Sequence, residues 1–261
     1  MKTIDPDIIR ERVRTRYGDI AENAGGCCSS VGASCGSSEE DYGCQLGYSA
    51  ADVASVPDGS NLGLGCGNPI VIASIRAGEI VLDLGSGAGF DCFLAARQLN
   101  GTGRVIGVDM TPAMIAKARA NARKGNYTNV EFRLGEIEAL PVADNSVDLV
   151  ISNCVINLSP EKQRIFREAF RVLRHGGRLA ISDVVTPIPL PDDIKRDLTL
   201  HTGCLAGASL ISDLHAILEE CGFAKIRITS KSESREFIKD WASGANLEDY
   251  VVSAIIQAIK L

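Results

Sequence analysis

"EIVLDLGSGAGFD", residues 79–91, decides the fold. Ile80 to Leu84 is an apolar run broken by one acid, Asp83, and it stops at glycine. A parallel strand buried on both faces reads this way. Gly85, Gly87 and Gly89 follow at once. Glycines just after a first strand let backbone approach a ligand closely and start a helix beside it. The spacing is not that of the dinucleotide fingerprint G-x-G-x-x-G. Phe90 stands at the sixth position, and the third glycine comes one residue early. "FDCFLAARQL" continues as a helix.

Downstream the pattern repeats. "GRVIGVDM" is a second strand, closed by Asp109, an acid placed to hold a ribose hydroxyl pair. "TPAMIAKARANARKG" has Thr111 as helix cap, Pro112 at the first helical position and Gly125 at the end. "NVEFRLG" is a third strand. The "GEIEALP" after it sets Glu136 and Ile137 where an adenine edge would lie. "SVDLVISN" is a fourth strand, and "SPEKQRIFREAFRVLRHGG" an amphipathic helix with Ser159 as cap and Gly176 as stop. "GRLAISDV" is a fifth strand and "ISDLHAILEECGF" a later helix. "AKIRITS" and "YVVSAIIQAIK" are the final strands. Strands alternating with helices predict an α/β fold with a mostly parallel sheet covered on both faces.

Upstream, residues 1 to about 20 carry charges with apolar residues at Ile8, Ile9, Val13 and Tyr17, predicting a helix. Residues 21 to about 68 are rich in Gly, Ser and Cys and hold no Lys or Arg. Loops of that length are usually functional or disordered. The expected division is an N-terminal helix and Cys-bearing segment over 1–68 and a core domain over 69–261. A Pro-rich insertion around 184–212 is expected to fold over the mouth of the sheet.

With 261 residues and a net charge of −6, the chain can bury a full core and holds nothing that attracts a polyanion. Nucleic acid is excluded as a partner, and no basic tract or apolar run suits a membrane. The charged N-terminus lacks the apolar core of a signal peptide, so the expected location is the cytoplasm. Nine cysteines are an odd number for a closed disulfide framework. In a reducing compartment, clustered thiols bind metal or do redox chemistry.

Three thiols stand out. Cys154, in "SNCVINLSP", lies just past the fourth strand, at the ligand end of the sheet. Cys204 follows the fifth strand through "TPIPLPDD". Cys66, in "LGLGCGNP", precedes the core domain between glycines that suit close packing. Cys92 and Cys221 sit at apolar helical positions and read as buried hydrophobes. His175 reads as a helix C-terminal residue favoured by the helix dipole, His215 as part of an amphipathic helix, and His201 as a neighbour of Cys204.

"DLGSGAGFD", the acid in "GVDMTP" and "GEIEALP" resemble the cofactor site of class I methyltransferases. The resemblance implies S-adenosylmethionine and a seven-stranded sheet whose last strand is antiparallel. It implies cofactor contacts from Asp83, Gly85, Ser86, Gly87, Gly89, Asp109, Met110, Glu136, Ile137 and Asn153. "NLGLGCGNP", "SNCVINLSPEKQ", "LRHGGRLAISDV" and "GCLAGA" further resemble arsenite methyltransferases, over about residues 15 to 235. That resemblance implies arsenic(III) on Cys66, Cys154 and Cys204, with Cys27 or Cys28 as an additional thiol. It also implies arsenite and methylarsenite as substrates, in-line attack of the arsenic lone pair on the sulfonium methyl, and an external reductant of thioredoxin or glutathione type. The stretch from Cys35 to Cys44 departs from the longer eukaryotic members. Two other readings stand beside it. One is a class I methyltransferase acting on a small quinone- or sterol-like acceptor. The other is a zinc-bound regulatory module, although the CC-x6-C-x8-C spacing lacks a C-x-x-C knuckle.

Overall fold

A computed structural model of the chain describes residues 4–23, 43–239, 241 and 247–261. Cys27, Cys28 and Cys35 lie outside the described residues. The quoted stretch forms strand β1 (Ile80–Leu84) and helix α4 (Phe90–Gln98). Ahead of it lie α1 (Pro6–Asn23), α2 (Ala50–Ala54) and α3 (Pro69–Ala73). After it come β2 (Arg104–Asp109), α5 (Pro112–Lys124), β3 (Val130–Leu134), β4 (Val147–Asn153) and α6 (Lys162–Val172). The chain continues through β5 (Leu173–Thr186), α7 (Asp192–Lys195), α8 (Leu198–Thr202), β6 (Ser209–Leu210) and α9 (Ile211–Glu220). It closes with β7 (Phe223–Lys231), α10 (Arg235–Ile238) and β8 (Val252–Lys260).

The strands form one sheet in the order β3-β2-β1-β4-β5-β8-β7, with β6 paired to β5. Every pairing is parallel except those of β8, so the last strand is antiparallel as expected. The eighth strand is the two-residue β6, too short to show as a run in sequence. Strand order reverses beside β1, where the chain crosses from β3 back over β2 and β1 to β4. That reversal opens a crevice beyond the carboxyl ends of β1 and β4, the place where ligands bind in open α/β sheets. Val81, Leu82 and Leu84 are fully buried, as are Leu149, Val150 and Ile151 on β4. The two apolar faces pack separately, one around Phe166 and Leu173, the other around Phe93 and Ala95.

Three local expectations are corrected. Helix α6 starts at Lys162, two residues after Pro160. Ser159 is not its cap: its hydroxyl donates to Glu138 Oε1 (2.6 Å) and accepts from Glu161 N (3.0 Å). Gly176 does not stop the helix, which gives way to β5 at Leu173. The register with β4 jumps from Val147↔Leu173 to Leu149↔Arg178, and Gly176, at φ +81°, lies inside that bulge. His175 lies in the same bulge, its Nδ1 3.0 Å from the Leu261 carbonyl oxygen, and so is no helix-end residue.

Candidate active site

The crevice is a cavity of about 220 Å³. Gly85, Ser86, Gly87, Asp109, Met110 and Ile137 line it together with Cys154 and Cys204. At Gly87 (φ +51°) no atom lies within 4 Å of where a Cβ would stand, so its backbone faces open space. Its N–H donates to Asp109 Oδ2 (3.0 Å), and Thr111 N donates to Asp109 Oδ1 (2.8 Å). These two bonds fix the carboxylate at the pocket wall and leave each oxygen a further lone pair. Ser86 Oγ is buried without a hydrogen-bond partner. Such an atom costs free energy unless a ligand satisfies it.

Burial raises the pKa of Asp109. Burial and then the neighbouring Asp91 raise Asp83 well above the carboxylate range, and burial lifts Asp91 to about 6. A cationic ligand among three such acids relieves their cost of ionisation. The orphaned Ser86 hydroxyl, the bare Gly87 backbone and these acids fit a nucleoside bearing positive charge, as S-adenosylmethionine does.

Not every expected cofactor residue faces the cavity. Gly89 does not line it: a Cβ there would strike Phe132 and Phe93, so this glycine serves packing. Glu136 turns outward to Arg14 of α1 (3.1 Å), while Ile137 and Glu138 take the wall. Asn153 lines the pocket, but its amide is committed to protein partners. Oδ1 accepts from Cys66 N (3.1 Å). Nδ2 lies within donating distance of Gly67 O (2.8 Å), Tyr48 Oη (3.0 Å) and Asp91 Oδ2 (3.2 Å). Tyr48 in turn donates to Asp91 Oδ1 (2.6 Å).

The three singled-out thiols converge. Cys154 follows β4 directly, and its N–H donates to Ser182 O of β5 (2.8 Å). Cys204 follows α8, and its thiol donates to Cys154 O (2.9 Å). Cys66 arrives from the N-terminal side, its carbonyl held by Ser253 Oγ (2.7 Å). The segment lies flat on β5, where the side chain of Ser182 leaves no room for a Cβ at Gly67. Cys66, Cys154 and Cys204 are all buried with free thiols. Cys154 and Cys204 hold φ of +58° and +66°, a left-handed backbone that non-glycine residues rarely adopt. Strain of this kind collects at functional sites. The Cys204 and Cys66 thiols beside it, and then burial, push the Cys154 thiol well above its ordinary pKa. Burial is the main cause of the rise at Cys66.

Residues that the motifs did not mark surround the thiols. Asp183 of β5 places a carboxylate oxygen so that it and the Cys66 and Cys154 sulfurs lie within 4.8 Å of one another. It accepts from Val184 N (2.7 Å), Ile156 N (2.9 Å) and Asn157 Nδ2 (2.8 Å), and burial still lifts it to about 7. Burial lowers Lys162 to about 8, opposed by the charges of Asp183, Cys204 and Glu138. His201 is buried with Nε2 3.2 Å from Leu158 O. His215 is half-buried on α9, its Nδ1 3.5 Å from Glu219 Oε2. Cys92 is a buried helix residue, and its Sγ donates to Asp83 Oδ2 (3.2 Å). Half-buried Cys221 lies 3.7 Å from Gln163 O, and Cys44 is exposed. Helix α1 roofs the pocket through Val13, Arg16 and Tyr17, and Arg10 bonds to Glu161 and faces Glu138 at 3.5 Å.

A crevice at the strand-order reversal of a mostly parallel sheet, with a glycine turn and an acid on its wall, is the frame of a methyltransferase domain. The family model for a methyltransferase domain matches residues 75–222. The chain belongs to the arsenite methyltransferase family. It is 57% identical to the arsenite methyltransferase of Halobacterium salinarum, over 98% of this chain and 68% of that protein. It is 42% identical to the arsenite methyltransferase of Aquipseudomonas alcaligenes, over 63% of this chain and 49% of that protein, so it spans about half the length of that relative. Among solved structures it resembles an arsenic(III) S-adenosylmethionine methyltransferase from Chlamydomonas reinhardtii, with a TM-score of 0.63 and 37% identity. That match covers 76% of this chain and 68% of that one. No helix among the described residues is long and apolar enough to cross a membrane.

Proposed function

We propose that this chain transfers a methyl group from S-adenosylmethionine to trivalent arsenic, taking arsenite and then methylarsenite. The observation that carries this reading is the meeting of three thiols, with Cys66 beside Cys154 and Cys204, at a pocket that Cys154 and Cys204 line together with Ser86, Gly87 and Asp109. Trivalent arsenic is soft and thiophilic, and thiolates are its matching ligands. As each arsenic–sulfur bond forms, an arsenic–oxygen bond breaks, and the thiol proton leaves with the departing hydroxide as water. Three exchanges give a neutral pyramidal complex with a lone pair on arsenic.

The cofactor, when bound, supplies an electrophilic methyl group on a sulfonium. Asp109 and Ser86 would hold its nucleoside end, and the open face of Gly87 would leave room beside the backbone. The task left to the protein is placement and exclusion of water. Asn153 holds the Cys66 backbone, the left-handed turns aim Cys154 and Cys204, and α1 covers the mouth. No base is needed to free the acceptor lone pair, in keeping with a histidine, His201, that is turned to a backbone carbonyl.

Methylation raises arsenic by two electrons. Two of the chain's thiols return them by closing to a disulfide, which an external thiol of thioredoxin or glutathione type reopens. A reducing cytoplasm suits a chain with six free thiols among its described residues. A small organic acceptor would leave the converging thiols without a task. Incubation with arsenite, excess thiol and methyl-labelled S-adenosylmethionine, followed by arsenic speciation, tests the reading. Labelled methylarsenicals are expected, and their absence from folded, cofactor-binding protein overturns it.

A further inference from the structure

We propose that the buried thiol cluster beside the pocket is also a site for a thiophilic divalent cation of the zinc and cadmium class, with Cys66, Cys154 and Cys204 as sulfur ligands and Asp183 as the oxygen ligand. The inference stands on the side-chain arrangement and does not depend on arsenic methylation.

The two kinds of ion ask for different shells. Trivalent arsenic takes three thiolates and keeps a lone pair in the fourth direction. Zinc-type cations take four ligands in a tetrahedron and accept cysteine sulfur and aspartate oxygen together. Asp183 offers an oxygen ligand beside the thiols. The Asp183 oxygen and the Cys66 and Cys154 sulfurs, all buried, already lie within 4.8 Å of one another. The Cys204 sulfur lies outside that 4.8 Å set but beside Cys154, its thiol donating to the Cys154 carbonyl oxygen at 2.9 Å, so it would have to turn inward to complete the shell.

The surroundings match a metal shell as well. Metal-ligating carboxylates are themselves oriented by hydrogen bonds. Asp183 accepts from Val184 N, Ile156 N and Asn157 Nδ2, at 2.7, 2.9 and 2.8 Å. Ser182 is 1% exposed, and its Oγ has no well-aligned hydrogen-bond partner. It lies within reach of the Cys66 sulfur and is free to donate once that sulfur is a thiolate. Three thiolates and a carboxylate leave two negative charges around a divalent ion, and the cationic Lys162, which interacts with both Asp183 and Cys204, offsets one. Asp183 is therefore the residue that separates the two ions: divalent cations use it, and arsenic does not.

The probe is Cd2+, followed by its thiolate charge-transfer absorption in the full chain carrying Cys27→Ser, Cys28→Ser, Cys35→Ser and Cys44→Ser to silence the other N-terminal thiols. One equivalent should bind and be displaced by arsenite. Asp183→Asn should weaken Cd2+ at least tenfold and leave arsenite affinity within about threefold. Equal Cd2+ affinity in Asp183→Asn, or an unchanged band in Cys154→Ser, overturns the proposal. Should Asp183→Asn lose arsenite binding too, the 113Cd resonance of the parent decides. A shift typical of mixed sulfur and oxygen ligation supports the site, and an all-sulfur or all-oxygen shift overturns it. Failure of arsenite methylation would leave the Cd2+ result standing, so the two readings fail separately.

Discussion

Asn153→Ala should release Cys66 while leaving the other two thiols in place. Among the described residues, the Asn153 amide is the side chain bonded to the Cys66 N–H, and its Nδ2 hydrogens are shared among Gly67 O, Tyr48 Oη and Asp91 Oδ2. Two hydrogens cannot fully satisfy three acceptors, so the amide is worth about three good bonds in all. Alanine orphans one backbone donor and one backbone acceptor on a buried segment. Each orphan costs about 1–3 kcal/mol, less where water enters the space left by the amide. The expected loss of folding stability is about 2–4 kcal/mol, read by urea unfolding. The Ser253 contact to Cys66 O remains, so the segment loosens at one point and stays tethered at another. Under the proposed chemistry, arsenite needs three thiolates and methylarsenite only two. Methylation of arsenite should therefore fall at least tenfold, a barrier rise of about 1.4 kcal/mol or more, and methylation of methylarsenite should stay within about threefold, about 0.7 kcal/mol or less. Parallel initial rates on the two substrates provide the assay. Stability within 0.5 kcal/mol of the parent (about the noise of a neutral surface change), or equal loss on both substrates, refutes the role given to Asn153.

The remaining predictions concern the cofactor, the thiols and pH. Asp109→Ala should weaken S-adenosylmethionine by about 2–3 kcal/mol, the size of a charge-assisted bidentate contact; unchanged affinity by calorimetry would remove Asp109 from the site. Cys154→Ser and Cys204→Ser should abolish turnover of both arsenicals, whereas Cys66→Ser should lose arsenite and keep methylarsenite, each assayed with excess reductant. For Asp183, burial raises the folded pKa to about 7 from an ordinary 3.8. The folded state thus holds this proton more tightly than the unfolded chain. Its contribution to stability is full below pH ~4 and is lost as pH rises through ~7. The stability of the parent relative to Asp183→Asn should fall across that window, measured by urea unfolding at each pH. A relative stability that rises instead would show the carboxylate to be held ionised.

Local pattern was enough for the sheet and for its ligand end. Strand period, the glycine turn after Leu84 and the acid closing β2 are each set within a few residues, so they read directly from the chain. The direction of β4 likewise told that Cys154 stands at the crevice. Where side chains were claimed by distant partners, local rules failed. Ser159 has the chemistry of a helix cap, but Glu138 recruits its hydroxyl, and the helix starts later. Gly176 reads as a helix stop and instead serves a bulge, because β5 must begin at Leu173 to pair with Val147. Asp183, Ser182 and Asn153 carry no motif of their own. Their roles arise only when β4 and β5 pair in register and bring Cys66, 87 residues away from Asn153, against both strands. The left-handed turns at Cys154 and Cys204 belong to the same class. Nothing in a cysteine favours positive φ, so only the surrounding packing holds those two residues there, with the Cys204 thiol turned to the Cys154 carbonyl oxygen.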